Sequence, residues 1–137
     1  MPFLIGVILA LILAIFASVV GFDRDRSYYA TVLAVIGLLY GLFAAISGST
    51  TTLLLESIGI IAFLIISVAG FKISQWFLVA GLAAHGVFDF FHGHLIANSG
   101  VPSFWPMFCL SYDVTAPAYL AWLLRRRRTL AREASVT

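Results

Sequence analysis

The 137-residue chain is 62% hydrophobic, only 10% charged and carries a formal net charge of +2. Such a composition lies far outside the range of soluble globular domains, and the few basic residues give no nucleic-acid signature. An integral membrane protein is expected, with room for about five spans of roughly 20 residues and little extramembrane mass.

In chain order, residues 3–22 form an uncharged apolar run long enough to cross a bilayer, ending at the polar DRDR of residues 23–26. The run lacks a basic leader and exceeds the core of a signal peptide, so it reads as a retained helix. Residues 27–46 form a second span, closed by the turn-like SGSTTT. Residues 53–71 form a third with Glu56 inside it, and Lys72 marks its end. Residues 76–95 form a fourth, followed by the loop ANSGVPS. Residues 104–124 form a fifth, with Pro106 near its first turn, where proline is tolerated. Residues 125–137 remain as a basic tail opening on four consecutive arginines. The predicted fold is therefore an all-α integral membrane protein, a single five-helix transmembrane bundle over residues 1–124.

Five spans place the termini on opposite sides, and Lys and Arg segregate accordingly. Arg24 and Arg26 lie in the first loop, Lys72 in the third, and the remaining five in the tail, while the second and fourth loops have none. By the positive-inside rule the N-terminus is outside and the C-terminus cytoplasmic. Trp76 and Trp122 then fall near the inner interface and Trp105 near the outer one. The lone cysteine, Cys109, has no intramolecular disulfide partner. Span two carries a small-residue stripe that includes Gly37 and Gly41 in a GxxxG pattern. It serves packing inside the bundle or, as the alternative, a homo-oligomer contact.

One stretch breaks the apolar pattern. HGVFDFFHGH, residues 85–94, holds all three histidines and an aspartate. At helical spacing His85, Asp89 and His92 share one face, and His94 points the opposite way, near the end of the span. Counted inward from the outer boundary, His85 is about 15 Å deep, Asp89 about 9 Å and His92 about 4 Å. Glu56, about 5 Å in, and Asp113, about 13 Å in, match that depth on spans three and five. Each ionisable group facing lipid costs about 2.5–3.5 kcal/mol, so these five must turn inward and meet. A polar cavity in the outer half of the bilayer is expected. Pro117 removes the amide that would bond the carbonyl of Asp113, which adds a free acceptor at the same depth.

Imidazole with carboxylate suits a divalent transition metal such as zinc or iron. His85 and His92 lie about 10.5 Å apart along the axis, too far for one ion, so the candidate ligand sets are His85, Asp89 and Asp113, or Asp89, His92 and Glu56. Against both stands a metal-free network in which neutral histidines and protonated carboxylates satisfy one another. Ser111 is expected to bond along its own helix rather than act as a nucleophile, and Cys109 to be a small buried residue.

HGVFDFFHGHLI followed by VPSFWPMFCLSYDV resembles stretches of small bacterial polytopic membrane proteins to which no activity is assigned. The resemblance covers spans four and five and implies a multi-pass protein of a bacterial cell membrane. The buried His and carboxylate chemistry is also similar in kind to that of intramembrane zinc hydrolases and membrane sterol isomerases, an analogy of site rather than of motif.

Three functions fit this pattern. The first is an intramembrane enzyme or ligand-binding protein acting on a lipophilic small molecule, with His85, Asp89, Asp113 and Glu56 as acid/base groups or metal ligands. The second is a proton- or cation-coupled transporter using the same ladder, and the third a structural membrane subunit. The ladder stops near mid-membrane, which places the enzyme or ligand site ahead of a through-pathway.

Overall fold

The structure is a computed structural model that describes residues 1–135. Five helices follow one another, α1 (Pro2–Val20), α2 (Ser27–Ile46), α3 (Thr50–Lys72), α4 (Trp76–Leu95) and α5 (Trp105–Ala134), with no strand among the described residues. Local chemistry sets their ends. Gly21 takes a left-handed conformation (φ 92°) that a side chain would resist, and its N–H bonds the Ala17 carbonyl to close α1. Ser49 caps α3 by accepting from the Thr52 N–H at 3.2 Å, which starts this helix three residues before the expected boundary.

Helix α5 does not stop at Leu124. It continues through the arginine run to Ala134, because residues 125–134 are rich in helix formers and hold no glycine or proline. The DRDR stretch is more than a loop. It contains a short 3₁₀ turn (Phe22–Arg24), and Asp23 is buried there. The Ser18 hydroxyl donates to the Asp23 carboxylate at 2.5 Å, Arg127 pairs with it at 3.3 Å and also donates to its backbone carbonyl. Arg26 donates to the Ile73 carbonyl at 3.1 Å beyond α3. These contacts bring the first loop, the third loop and the arginine run to one end of the bundle.

Laterally the helices run α1, α5, α4, α3, α2, with α2 also touching α4. Among the described residues α2 makes no close backbone approach to α1 or α5, so the bundle is open along a seam between its first two helices. The buried residues of α1 are Gly6, Ala10, Ala14 and Ala17, while Ile5, Ile8, Ile12 and Phe16 are exposed. That is the pattern of a membrane helix, with small residues inward to let backbones approach and large apolar ones outward. Gly37 and Gly41 likewise face α3, against Phe63 and Ile60. Four helices, α1, α2, α3 and α5, are long and apolar enough to cross a membrane. Helix α4 has the length, 20 residues, but its three histidines and its aspartate lower its hydropathy.

A close approach joins α1 and α5, where a β-carbon on Gly6 would overlap the Phe108 carbonyl and the Ser111 hydroxyl. A backbone carbonyl cannot move aside cheaply. Gly6→Ala is expected to destabilise the protein by about 1–3 kcal/mol, read as a drop of several degrees in Tm. Gly93→Ala, whose new methyl would meet no neighbouring element within 4 Å, should not lower Tm.

Candidate metal and acid-base site

Helix α4 presents His85, Asp89 and His92 on the face it buries, and leaves His94 exposed on the other. Gly86, on the same buried face, lets α5 come close, since a β-carbon there would lie 3.2 Å from that of Asp113. The approach places Asp113 Oδ2 at 2.8 Å from His85 Nδ1, with Asp89 Oδ2 at 3.3 Å from the same nitrogen. Tyr40 of α2 donates its hydroxyl to Asp89 Oδ1 at 2.7 Å. A second cluster lies alongside. Glu56 Oε1 of α3 is 2.8 Å from His92 Nε2 and accepts from the Asn98 amide at 2.8 Å. Asn98 also donates to the Tyr40 carbonyl at 3.2 Å, and the Tyr40 ring stacks on His92 with centroids 3.9 Å apart. Tyr40 thus joins the two clusters.

All five titratable residues singled out in the sequence are buried and hydrogen-bonded or paired within this assembly. They do not surround a polar cavity, however. The space bounded by Tyr40, Glu56, Phe63, His85 and Phe88 is too small for a water molecule, because aromatic rings fill it. Of the two expected ligand sets, the first assembles. Among the described residues His85, Asp89 and Asp113 are the one group of three that could hold a metal ion, with a ligand atom from each within 4.8 Å of the others. The set of Asp89, His92 and Glu56 does not form, since His92 and Glu56 pair with each other and Glu56 also accepts from Asn98.

The donor set can be tested against a metal. Tetrahedral bonds near 2.0–2.1 Å put ligand atoms about 3.4 Å apart. The 3.3 Å separation fits, and the 2.8 Å one, a hydrogen-bond length, must open by about half an ångström. The hydrogen-bond inventory points the same way. Four carboxylate oxygens of Asp89 and Asp113 meet two donors, the Tyr40 hydroxyl and His85 Nδ1, and Asp89 Oδ2, Asp113 Oδ1 and His85 Nε2 have no hydrogen-bond partner among the described residues. A buried site with more acceptors than donors attracts a cation, either a proton or a metal ion.

Two participants were not legible as such. Tyr40 sits between Gly37 and Gly41 in a stripe that read as packing, although a tyrosine deep inside a span needs a partner for its hydroxyl. Asn98 lies in a stretch that read only as a loop. Ser111 donates to the Phe108 carbonyl at 2.8 Å along its own helix, and Cys109 is buried, both as expected. No protein-family model matches the chain, and no curated protein or solved structure is significantly similar to it.

Removing the link between the clusters should be felt at once. Tyr40→Phe keeps the ring on His92 but strips Asp89 of its one neutral donor, and is expected to cost about 1–2 kcal/mol of stability in a thermal unfolding measurement. His94→Ala, which touches neither cluster, should leave that stability unchanged.

Proposed function

We propose that this chain is a multi-pass protein of a bacterial cell membrane that uses His85, Asp89 and Asp113 to hold a divalent transition metal, zinc or iron, for chemistry on a lipophilic small molecule. The observation that carries the reading is the buried, acceptor-rich group of three ligand atoms within 4.8 Å. Three protein ligands leave a coordination position for water or substrate, the arrangement used where a metal is catalytic rather than structural. The metal would supply Lewis acidity and a water of lowered pKa, suited to hydrolysis or isomerisation. Tyr40 holds Asp89 through Oδ1 and leaves Oδ2 for the ion, which is the usual duty of a residue bonded to a metal ligand. His92, stacked on its ring, and Asn98, bonded to its carbonyl, hold Tyr40 in turn, and Glu56 holds both of them.

The transport alternative has less support. The hydrogen-bonded histidines and carboxylates of α3, α4 and α5 end at His85 and Asp113. At the arginine-bearing end buried Asp23 pairs with Arg127 and reaches Tyr119 through Ser18, and the buried contact that α3 makes toward that end is the neutral Ser67 hydroxyl on the Ala30 carbonyl, so no His or carboxylate among the described residues bridges the two levels.

Elemental analysis of the purified protein, never exposed to chelator, is expected to find stoichiometric zinc or iron. Asp89→Ala should lose most of it and His94→Ala none. Metal-free wild-type protein would remove the metal and leave His85 with its carboxylates as an acid-base group. The proposed orientation has its own test in a Cys109→Ala background. A thiol reagent that does not cross the membrane should label Ser103→Cys from outside and Thr129→Cys only from inside, and the reverse pattern would contradict the topology.

A further inference from the structure

At the end of the bundle where the first loop, the third loop and α5 meet, three arginines converge. A pocket of about 290 Å³ is lined by Arg26, Arg127 and Arg128, with Trp76 at the start of α4 beside them. No carboxylate lines it. Asp23 is paired with Arg127, and Asp25 accepts from the N–H and the hydroxyl of Ser27. Arg26 and Arg128 therefore carry charges with no acidic partner among the described residues, and both are exposed, so that a ligand in the pocket reaches them.

Both side chains are held in place. Arg26 donates through Nη1 to the carbonyls of Lys72 at 3.4 Å and Ile73 at 3.1 Å, which leaves its other N–H groups unbonded among the described residues. Arg128 lies over the Trp76 ring, 5.6 Å from its centroid. Arg127 gives both Nη atoms to the Asp23 carbonyl and serves as the wall between them. Helix α4 begins at the same place with no acidic residue in its first turn, so the positive end of its dipole adds to the field. Residues 74–76 line the pocket, and their chain neighbours Ile73 and Phe77 are exposed and apolar.

We infer that this pocket binds the phosphate of an anionic phospholipid, with Arg26 and Arg128 as the anion-binding groups and the acyl chains lying against the apolar surface that Ile73 and Phe77 begin. Guanidinium groups match a phosphate with paired N–H donors. A zwitterionic lipid presents the same phosphate together with an ammonium that the two arginines repel. A soluble phosphate meets the same donors without the acyl chains that hold a lipid phosphate at this level. The inference rests on the membrane reading above and not on the metal.

The test uses the full-length protein in detergent, with native mass spectrometry counting the lipid retained from equimolar phosphatidylglycerol and phosphatidylcholine of the same acyl chains. Phosphatidylglycerol should be retained in preference. Arg26→Gln with Arg128→Gln should lower its affinity about tenfold and leave phosphatidylcholine unchanged. Arg125→Gln with Arg132→Gln removes the same charge from exposed positions outside the pocket and should change that affinity less than twofold. Ala131→Glu places a carboxylate at an exposed position on the pocket wall while every arginine keeps its bonds, and should also weaken phosphatidylglycerol at least fivefold. Equal losses from the two double variants, or equal retention of the two lipids, would overturn the inference and reduce the arginines to a topology anchor. Displacement of the bound lipid by millimolar inorganic phosphate would overturn it in favour of a soluble anion. Flotation with vesicles of phosphatidylcholine alone tests the membrane reading separately. A chain that stays behind contradicts that reading, whereas one that floats but shows no lipid preference contradicts only the anionic-lipid site.

Discussion

A carboxylate taken into an apolar bundle must be met by a donor or a cation, and the arrangement of this molecule follows from that requirement. Asp89, Asp113 and Glu56 lie on three helices, and each is fully buried. No single helix can satisfy its own. Helix α4 brings the imidazoles, α2 the Tyr40 hydroxyl and the α4–α5 connection the Asn98 amide, so four helices and a loop are fixed relative to one another by a handful of bonds. With both sides of each contact hidden from water, removing one partner leaves an orphaned polar group, and the network holds together as a unit.

Packing makes these bonds reachable. Gly86 lets Asp113 approach α4, the small face of α1 lets it lie flat on α5, and Gly37 and Gly41 admit Phe63 and Ile60 from α3. Where such faces are missing, the helices stay apart. Between α1 and α2 no close backbone approach occurs, and the seam stays open as a groove over α5. The same distribution of small and large residues therefore accounts both for the closed site and for the open seam beside it.

Much of this was legible in the sequence because hydropathy and helical period are strong signals over 20-residue runs. The boundaries of α2 and α4 coincide with the expected spans, while α3 begins earlier because a serine cap is a local feature that hydropathy ignores, and α5 runs on because arginine is a good helix former. The meeting of His85, Asp89 and Asp113 followed from the cost of exposing them to lipid. Tyr40 and Asn98 did not, since neither carries a charge and nothing in a hydropathy reading demands a partner for them. Nor could the sequence tell a wet cavity from a dry one. That depends on whether the Phe63, Phe88 and Tyr40 rings fill the space around His85, which only tertiary packing decides.

The central claim is that one imidazole and two carboxylates, and no thiolate, form a metal centre. X-ray absorption at the edge of the metal that the purified protein is expected to hold reads that donor set directly. The account predicts nitrogen and oxygen neighbours alone at about 2.0–2.2 Å, with the outer-shell scattering of a single imidazole. A sulfur neighbour near about 2.3 Å, which would put Cys109 on the ion, or the signature of two imidazoles, which would bring in His92, would contradict it.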